Sequence, residues 1–551
     1  MSSAEQVPPE GEAEGQPARR SRAKRGASVA PWLAAHWQIF ALVAIVAIGF
    51  LVRLYYLHKY TEYTADSYYF MLLARSIRTT FTYTIRGAPH TKYLPGYPGA
   101  IWLGSYVLGG IQNSANVLAI TGGALTAWVT YGIGNELFDK YVGVIAALIV
   151  ALQPTFLKWT SLPMTEGIFT LFFALGVYLM LTGVKRGSIA RRLLGMACGG
   201  YCLLVRWEGV LFLPLAVLLI IIYFKESKFR WWEVPLMIVL FAGPIGVYAV
   251  RNLIATGKIT AYEVEYQGHA HVTIRELAHR FKVYAFLSMS SLIFSVFFYL
   301  GAVVCLLMRK WKAFFIVGGW FALYVVFHMA WYYTYERFMA PAVPAVALFC
   351  ALLVVAVFRY SYKAPEILKR REKSDKKRPA SAGQAIRWVG CTVAVASLVV
   401  LLVVGMFAAS RTINTDAQAF ADDHGGKGMQ QASDWLHANA PGAIVGVDAG
   451  PYFDWLYDGG VLYTRPVPWD LPVEDRDVDG PHPVEMLWER GASYMVVGQT
   501  ENGVPTEIAT ISIRNEELSR LREVARFDND YTVGKDQEHL TTVVYRILPP
   551  K

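Results

Sequence analysis

The first long apolar run of the chain and the polar segment after it lie in residues 37–77, which read WQIFALVAIVAIGFLVRLYYLHKYTEYTADSYYFMLLARSI. The run Trp37–Tyr56 reaches the length of a membrane-spanning helix. Basic residues precede it and no small-residue cleavage site follows it, which predicts a retained signal anchor. Apolar residues then recur at helical spacing from Phe70 to Ile77. This spacing predicts a helix lying along the membrane surface with Asp66 at its start.

The chain as a whole is too apolar for a soluble protein. Of its 551 residues, 54% are apolar and 17% are charged, and the mean hydropathy is +0.33. This composition excludes intrinsic disorder and indicates a chain that lies mostly in a membrane. Further candidate spans follow near residues 114–135, 141–157, 167–184, 193–205, 209–224, 234–250, 284–308, 313–330, 338–358 and 388–409. The sequence therefore predicts a polytopic α-helical membrane protein with about eleven transmembrane helices.

Charge decides how the chain crosses the membrane. One more apolar stretch, residues 94–110, is short and interrupted by prolines and glycines, so hydropathy alone does not place it. If it does not span, 26 of the Lys and Arg residues in 1–410 lie on the cytoplasmic side and 14 lie outside. If it spans, the seven basic residues of 369–378 must be translocated, against the positive-inside rule. We therefore predict a re-entrant or interfacial segment at 94–110.

Three regions follow from this arrangement. Residues 1–36 are predicted to be a disordered cytoplasmic tail. Residues 37–410 are predicted to be a transmembrane domain of the plasma membrane, with one large external loop at 59–113. Residues 411–551 are predicted to be an extracytoplasmic α/β domain. Its expected elements are a helix at Met429–Ala438, strands at Ala443–Val447 and Tyr494–Val497, a helix at Asn515–Val524 and a strand at Thr541–Ile547.

The net charge of +10 suggests nucleic-acid binding until it is divided along the chain. Residues 411–551 carry a net charge of −11, whereas residues 1–410 carry +21. The basic excess belongs to the membrane half, where loop charge fixes orientation. No nucleic-acid motif accompanies it, so we predict no nucleic-acid partner. The five cysteines lie in apolar stretches and indicate neither a disulfide framework nor a zinc site.

Two carboxylates on the external side are the candidate catalytic residues. Charged groups close to the membrane are costly, which makes them functional hypotheses by default. Asp66 begins the interfacial helix, and Glu166 lies in the external turn before the span at 167–184. Each also has a simpler explanation, because Asp is a good helix N-cap and Glu stabilises the first turn of a helix. The residues alone leave both explanations open.

External cations are the candidate anion-binding residues. One lies in the Arg-Trp-Glu-Gly turn at 206–209, where an ion pair with Glu208 is the simpler explanation. Another follows the aromatic run Trp331-Tyr-Tyr-Thr-Tyr-Glu. Interfacial snorkelling is the general alternative for such side chains. The candidates are His90, Lys92, Arg206, Arg251 and Arg337.

The loop 251–282 contains a possible metal site. His269 and His271 have His-x-His spacing, and carboxylates lie nearby in the sequence. Imidazole and carboxylate groups are common metal ligands. The spacing matches no standard site, however, and a solvated polar loop is the simpler explanation.

The order of these motifs resembles that of the GT-C glycosyltransferases, which are polytopic enzymes that use lipid-phosphate-linked sugars. That family includes protein O-mannosyltransferases, the aminoarabinose transferase of lipid A and oligosaccharyltransferase catalytic subunits. The resemblance covers essentially the whole chain, including the α/β tail. It rests on Asp66 before an interfacial helix, Tyr93-Leu-Pro-Gly-Tyr-Pro98, Glu166, Arg206-Trp-Glu-Gly209 and Arg337-Phe-Met-Ala-Pro-Ala-Val-Pro344.

The resemblance implies a sugar transferase acting on the extracytoplasmic face. The donor would be a polyprenyl-phosphate-linked sugar, and the acceptor would be a hydroxyl of a glycan, lipid or protein. Asp66 corresponds to the base or metal ligand of the family and Glu166 to its second acidic residue, while the external cations would bind the donor phosphate. The cofactor is unknown, although Mn²⁺ or Mg²⁺ bound by Asp66, Glu166, His269 or His271 is compatible with the resemblance.

Two alternatives stay open. Thr273-Ile-Arg-Glu276 matches the Thr-Ile-x-Glu pattern of bacterial oligosaccharyltransferases, but their Trp-Trp-Asp-Tyr-Gly signature is absent and Val447-Asp-Ala-Gly-Pro-Tyr-Phe-Asp454 lies near its place. We therefore favour a monosaccharide transferase over an oligosaccharide transferase. A polytopic lipid or sugar transporter or flippase is the alternative from another class. The lack of an internal sequence repeat and of conspicuous acidic residues in mid-span argues against it.

Overall fold

The computed structural model describes most of the chain. The described residues are 29–59, 63–85, 87–260, 273–287, 292–331, 334–372, 380–423, 426–447, 450–457, 459, 461–463, 483–500, 519–533 and 536–549. The predicted metal ligands His269 and His271 fall outside them.

The membrane half is built from helices. In chain order, its elements are α1 (Val29–Leu57), α2 (Ala65–Thr80), β1 (Thr84–Ile85), β2 (Ala88–Pro89), α3 (Gly96–Gly104), α4 (Ile111–Leu137), α5 (Lys140–Leu152), α6 (Pro154–Ser161), α7 (Glu166–Arg186), α8 (Ile189–Val205), α9 (Phe212–Ile222), α10 (Phe224–Ser227), α11 (Glu233–Thr256), α12 (Ile274–Lys282), α13 (Leu292–Leu307), α14 (Trp311–Met329), α15 (Val343–Glu372) and α16 (Ala380–Asp423). Short 3-10 segments, Trp207–Leu211 and Glu336–Ala342, precede α9 and α15.

The helices correspond to all the predicted spans, but fewer of them are long enough to cross a membrane alone. Seven helices in the described residues meet the length and hydropathy expected of a span, and α5 with α6 makes an eighth, bent by 54°. Helix α8 has 17 residues, and the apolar helices Trp207–Ile222 and Leu292–Leu307 are also shorter than the roughly 20 residues of a crossing. The predicted eleven spans are therefore eight full-length candidates and three shorter helices.

The predicted domain boundaries also shift. Helix α1 begins at Val29, so the last residues of the predicted disordered tail 1–36 are helical. Helix α16 continues to Asp423, past the predicted boundary at 410, and no proline interrupts it. Within the loop 59–113, α3 has nine residues and is too short to span, as predicted for 94–110.

Close helix crossings and buried charges hold the bundle together. A Cβ atom on Gly167 would overlap the carbonyl oxygen of Ala119, so α4 and α7 can approach closely only with glycine at this position. The guanidinium of Arg53 in α1 donates a hydrogen bond to Thr160 in α6 (2.7 Å). This bond connects α1 to the bent helix pair formed by α5 and α6. Arg192 and Glu233 form an ion pair (2.7 Å) with neither side chain exposed, which joins α8 to α11. The Gly167 crossing and the Arg53 hydrogen bond therefore fix the positions of α7 and α6.

The last part of the chain is an α/β domain, as predicted. Its elements are α17 (Gly426–Asn439), β3 (Val445–Val447), α18 (Gly450–Leu456), β4 (Val461–Tyr463), α19 (Pro483–Glu489), β5 (Tyr494–Thr500), β6 (Leu521–Val533) and β7 (Asp536–Ile547). The sheet order is β4-β3-β5-β7-β6, with β3 parallel to both neighbours and the remaining pairs antiparallel. The predicted helix at Asn515–Val524 is wrong from Leu521 onward, where β6 begins.

The α/β domain contacts the helix that carries Asp66. In α18, the carbonyl of Trp455 accepts a hydrogen bond from Arg75 of α2 (3.2 Å), and the Arg75 guanidinium lies 4.1 Å from the Trp455 ring centre. The rings of Tyr452 and Tyr68 are 5.0 Å apart. The segment that stands where oligosaccharyltransferases carry their Trp-Trp-Asp-Tyr-Gly signature is therefore packed on α2.

Candidate active site

The start of α2 fixes the position of Asp66. Thr64 is the N-cap of this helix, and its hydroxyl accepts a hydrogen bond from the Ser67 N–H (3.3 Å). Asp66 is the second residue of the helix, so capping does not require its carboxylate. The apolar face predicted from Phe70 onward is buried in the bundle, which turns Asp66 toward the other helices.

Asp66 is held by two hydrogen-bond donors from distant parts of the chain. Arg337 Nη1 lies 2.8 Å from Oδ2, and Tyr93 Oη donates to Oδ1 over 2.6 Å. Burial alone would raise the pKa of Asp66, but the charges of Arg337 and Lys92 and the hydrogen bond from Tyr93 hold it below its ordinary value. Asp66 is therefore ionised at neutral pH.

Arg337 lies in the 3-10 segment before α15, among aromatic rings. Its guanidinium is 5.2 Å from the ring centre of Tyr335 and 5.6 Å from that of Phe338. Next to it, Lys158 of α6 forms an ion pair with Glu336 (2.9 Å). Tyr335, the last aromatic residue of the run before Arg337, therefore packs against the cation.

Glu166 belongs to a second buried charge cluster. It is the first residue of α7, is fully buried and accepts a hydrogen bond from Arg206 Nη1 (2.5 Å). Arg206 also binds Glu208 through Nη2 (2.7 Å), so the ion pair suggested by the Arg-Trp-Glu-Gly turn is present. Burial would raise the pKa of Glu208, but Arg206 outweighs burial and lowers it to about 2. The single positive charge of Arg206 is thus shared between the carboxylates of Glu166 and Glu208.

A single cavity joins the two clusters. It measures about 90 Å³, and its lining includes Asp66, Lys92, Arg206, Glu208 and Arg337. Glu166 lies behind this lining and accepts hydrogen bonds from Thr165 and Arg206, which both line the cavity. With Asp66, Lys92, Arg206 and Arg337 in the lining and Glu166 behind it, the structure brings together five of the seven residues predicted to act in catalysis or in donor phosphate binding.

His90 and Arg251 do not line this cavity. His90 Nε2 accepts the Tyr93 N–H (3.1 Å), and its ring stacks on the Tyr93 ring at 5.4 Å. Arg251 donates to the carbonyls of His90 (2.8 Å) and Tyr83 (2.7 Å). Both residues therefore hold the segment that carries Lys92 and Tyr93, and phosphate binding by either one stays a prediction.

Several lining residues were not found from the sequence. Tyr93 was recognised only as part of a Pro-rich motif, because nothing local indicates that its hydroxyl reaches a carboxylate 27 residues earlier. His328 and Trp207 also line the cavity. The sequence does contain a signal for His328, because an ionisable residue inside an apolar span is a functional hypothesis by default.

The two predicted carboxylate ligands are engaged with other side chains of the protein. Both oxygens of each predicted carboxylate ligand already accept hydrogen bonds, those of Asp66 from Tyr93 and Arg337, and those of Glu166 from Thr165 and Arg206. In the part of the chain that the structure describes, no three His, Cys, Asp or Glu side chains are grouped as a metal site requires. Metal binding by Asp66 and Glu166, together with His269 and His271 outside the described residues, stays a prediction.

The arrangement of the helices is shared with known membrane enzymes. The structure of ArnT from Cupriavidus metallidurans in the apo state matches with a TM-score of 0.61 and 13% identity, over 94% of this chain and 100% of ArnT. The protein has the GT-C fold. The GT-C resemblance of the sequence is thereby confirmed. ArnT bound to undecaprenyl phosphate also matches, with a TM-score of 0.54, 12% identity and coverage of 92% and 99% of the two chains.

Other comparisons agree with the GT-C fold. The oligosaccharyltransferase of Archaeoglobus fulgidus in the apo form matches with a TM-score of 0.54 and 12% identity, over 84% of this chain and 70% of that one. It has also been solved with Zn and sulfate, with a TM-score of 0.52, 12% identity and coverage of 83% and 67%. The family model of dolichyl-phosphate-mannose-protein mannosyltransferases matches residues 90–248.

One relative is similar in sequence. The dolichyl-diphosphooligosaccharide–protein glycosyltransferase subunit STT3B of Oryza sativa subsp. japonica is 25% identical over 155 residues. The match covers 27% of this chain, and the chain spans 19% of the length of that relative. The matched family model, this relative and the Archaeoglobus fulgidus neighbour are all named for the transfer of sugars.

Proposed function

We propose that the protein transfers a sugar from a polyprenyl-phosphate donor to an acceptor hydroxyl, with inversion at the anomeric carbon. The observation that carries this proposal is the Asp66–Arg337 ion pair in a cavity that also contains Lys92, within the GT-C fold. A base and two cations in one cavity supply what this chemistry needs, because the leaving group is a phosphate and the nucleophile is a neutral alcohol.

The cations are assigned to the donor phosphate. Arg337 offers a planar set of donors, and Lys92 adds a point charge in a largely buried position. In the transition state, the bond between the anomeric carbon and the phosphate oxygen breaks, and its electron pair stays on that oxygen. Positive groups placed at this oxygen stabilise the developing charge.

Asp66 is assigned as the base. It takes the acceptor proton while the acceptor oxygen forms its bond to the anomeric carbon. With Arg337 and Tyr93 both bound, the carboxylate is ionised but weakly basic. A donor phosphate that competes for Arg337 would leave Asp66 with less neutralisation in a buried position, which raises its pKa and makes it a stronger base. Donor binding would in this way prepare the base.

The sequence favours a monosaccharide, because the Trp-Trp-Asp-Tyr-Gly signature of oligosaccharyltransferases is absent. The Thr-Ile-x-Glu match also has a local explanation. Thr273 and Glu276 form a capping box at the start of α12, with Glu276 Oε2 accepting the Thr273 N–H (2.8 Å). We therefore retain the monosaccharide transferase over the oligosaccharyltransferase.

We place the site on the extracytoplasmic side of the plasma membrane. The basis is the charge distribution of the sequence, which puts most loop Lys and Arg residues at the opposite ends of the helices. The N-terminus would then be cytoplasmic and the α/β domain extracytoplasmic. The acceptor would be a hydroxyl of a cell-envelope glycan, lipid or protein.

The experiment is a transfer assay with the full-length protein in nanodiscs. Undecaprenyl-phosphate-linked mannose, glucose, galactose, N-acetylglucosamine and arabinose are each supplied together with membrane lipid, glycan and protein acceptor fractions. We expect release of undecaprenyl phosphate together with sugar incorporation for at least one donor. Transport of labelled donor across the bilayer without any sugar transfer would overturn the proposal and favour a flippase.

A further inference from the structure

One side of the site cavity carries buried polar atoms that have no hydrogen-bond partner among the described residues. His328 lies near the end of α14 and is 2% exposed, and neither of its ring nitrogens has a partner there. The same is true of the buried indole N–H of Trp207. Both side chains line the cavity. Because buried polar groups are almost always hydrogen-bonded, a ligand with complementary polar groups is expected at this position.

Aromatic packing holds the His328 ring in place. The ring of Phe338 stacks on it at 4.8 Å with an interplanar angle of 7°, and the ring of Phe327 meets it edge-on at 5.2 Å. Imidazole nitrogens make hydrogen bonds in the plane of the ring, so this packing fixes the directions in which Nδ1 and Nε2 can bind a ligand. A side chain that is held in this way beside a cavity is suited to selecting a ligand by geometry.

The hydrogen-bonding groups at this side match those of a sugar. A neutral imidazole offers one donor and one acceptor, and the indole of Trp207 offers a donor. The Glu208 carboxylate, oriented by Arg206, adds acceptors to the same lining. Neighbouring sugar hydroxyls present the same alternation of donors and acceptors. Aromatic side chains such as Phe338 and Trp331 provide apolar walls for the faces of the ring.

Phe338 connects His328 to the charged side of the cavity. Its ring centre lies 5.6 Å from the Arg337 guanidinium and 4.8 Å from the His328 ring centre. Arg337 and His328 therefore contact the same side chain and line the same cavity. A donor whose phosphate binds Arg337 would have its sugar in the cavity that His328 lines.

We propose that His328 and Trp207 bind the hydroxyl groups of the transferred sugar and so select the donor. This inference rests on the proposed function, since it assigns the sugar-binding part of the same site. Neither residue takes part in bond making or breaking, and both act by holding the ring of the donor through hydrogen bonds.

The first test measures binding without turnover. The Asp66→Asn protein in nanodiscs is titrated with undecaprenyl phosphate and, separately, with the panel donor that the wild type transfers best. We expect His328→Phe, which keeps the aromatic stacking, to weaken binding of the sugar-linked donor about 10- to 100-fold and to leave undecaprenyl phosphate binding unchanged. An equal loss for both lipids, or no loss for either, would overturn the inference.

A matched pair of tryptophan variants controls for general damage to the fold. Trp207→Phe and Trp320→Phe each remove one buried indole N–H that has no partner among the described residues, but Trp320 does not line the cavity. We expect only Trp207→Phe to raise the KM for the sugar-linked donor. Equal effects of the two variants would contradict a sugar-binding role for Trp207.

Deoxy donors test the contact directly. Each hydroxyl of the transferred sugar is removed in turn, and kcat/KM is measured for the wild type and for His328→Gln. One deoxy donor should be transferred about 10- to 100-fold less well by the wild type, and His328→Gln should show a smaller loss for that donor. Identical losses in both proteins for every deoxy donor would exclude the contact. Failure of the wild type to transfer any sugar would instead refute the proposed function.

Discussion

The Asp66–Arg337 pair joins residues 271 positions apart, and both partners are largely buried. Under the proposed function, replacing Arg337 by Ala removes the main charge-assisted hydrogen bond to the donor phosphate. We expect kcat/KM for the lipid-linked donor to fall about 10- to 100-fold. Arg337→Lys should recover part of this loss, because lysine keeps the charge but not the planar fork. Steady-state kinetics over a range of donor concentrations measure both effects.

A second arginine provides the control for this prediction. Arg359 also forms an ion pair, with Asp139 at 2.6 Å, but it does not line the site cavity. Arg359→Ala should leave the donor KM unchanged. If Arg337→Ala behaves like Arg359→Ala, Arg337 is not part of the donor site.

The lowered pKa of Asp66 gives a prediction about pH. In the free protein Asp66 is ionised above its lowered pKa, so its ion pair stabilises the fold at neutral pH, and this contribution is lost only as the pH falls through that value. The acid limb of kcat/KM, which reports the free enzyme, should therefore lie below the ordinary Asp pKa of about 3.9.

The acid limb of kcat should lie at a higher pH than that of kcat/KM. The kcat profile reports the donor complex, in which the phosphate competes for Arg337 and the pKa of Asp66 rises. Parallel pH profiles of kcat and kcat/KM in the wild type provide the measurement. Coincident acid limbs would show that Arg337 stays on Asp66 after the donor binds.

At the scale of helices, Glu166 depends on the crossing of α4 and α7. A methyl group on Gly167 would overlap the backbone of Ala119, which cannot move aside as a flexible side chain can. Gly167→Ala should therefore lower the free energy of unfolding by about 1–3 kcal/mol and reduce activity by displacing Glu166. Thermal melting and the transfer assay in nanodiscs measure the two effects.

The matched control lies on α14. A Cβ on Gly318 would meet no atom within 4 Å, and alanine is intrinsically the better helix former. Gly318→Ala should melt at or above the wild-type temperature and keep its activity. Equal melting temperatures for the two variants would refute the claim that the α4–α7 crossing requires glycine.

The sequence could predict helices that have a strong local signal. Runs such as Trp37–Tyr56 and the apolar face after Phe70 identify spans and the interfacial helix because apolar length and helical period are local properties. The segment Leu521–Val524 was assigned to a charged helix, but it pairs with β7 over the whole of β6. That pairing is a tertiary contact, which overrides the local helix propensity of Glu and Arg.

The site was only partly predictable for the same reason. Asp66 and Arg337 were found because each stands beside a motif whose order resembles a known family. Their contact, and the hydroxyl of Tyr93 on the same carboxylate, depend on the packing of α2 against the start of α15. Pairs so distant in sequence leave no local pattern, whereas His328 lies in an apolar span and so has a local signal.

At the scale of the whole molecule, the orientation in the membrane can be tested by cysteine labelling. In a variant without the five native cysteines, single cysteines replace Lys225 and Ala438, which are both exposed. An impermeant thiol reagent applied to intact cells should label position 438 and not position 225. Labelling of position 225 alone would invert the proposed orientation.

The central claim is that Asp66 is the base of a sugar transfer. Asp66→Asn keeps the shape of the side chain and removes its basicity, and the helix cap is supplied by Thr64 in any case. Sugar transfer from the undecaprenyl-phosphate donor should fall by about two to four orders of magnitude, while binding of undecaprenyl phosphate is retained. Measuring both quantities for this variant is the most direct test. Wild-type turnover by Asp66→Asn would contradict the account.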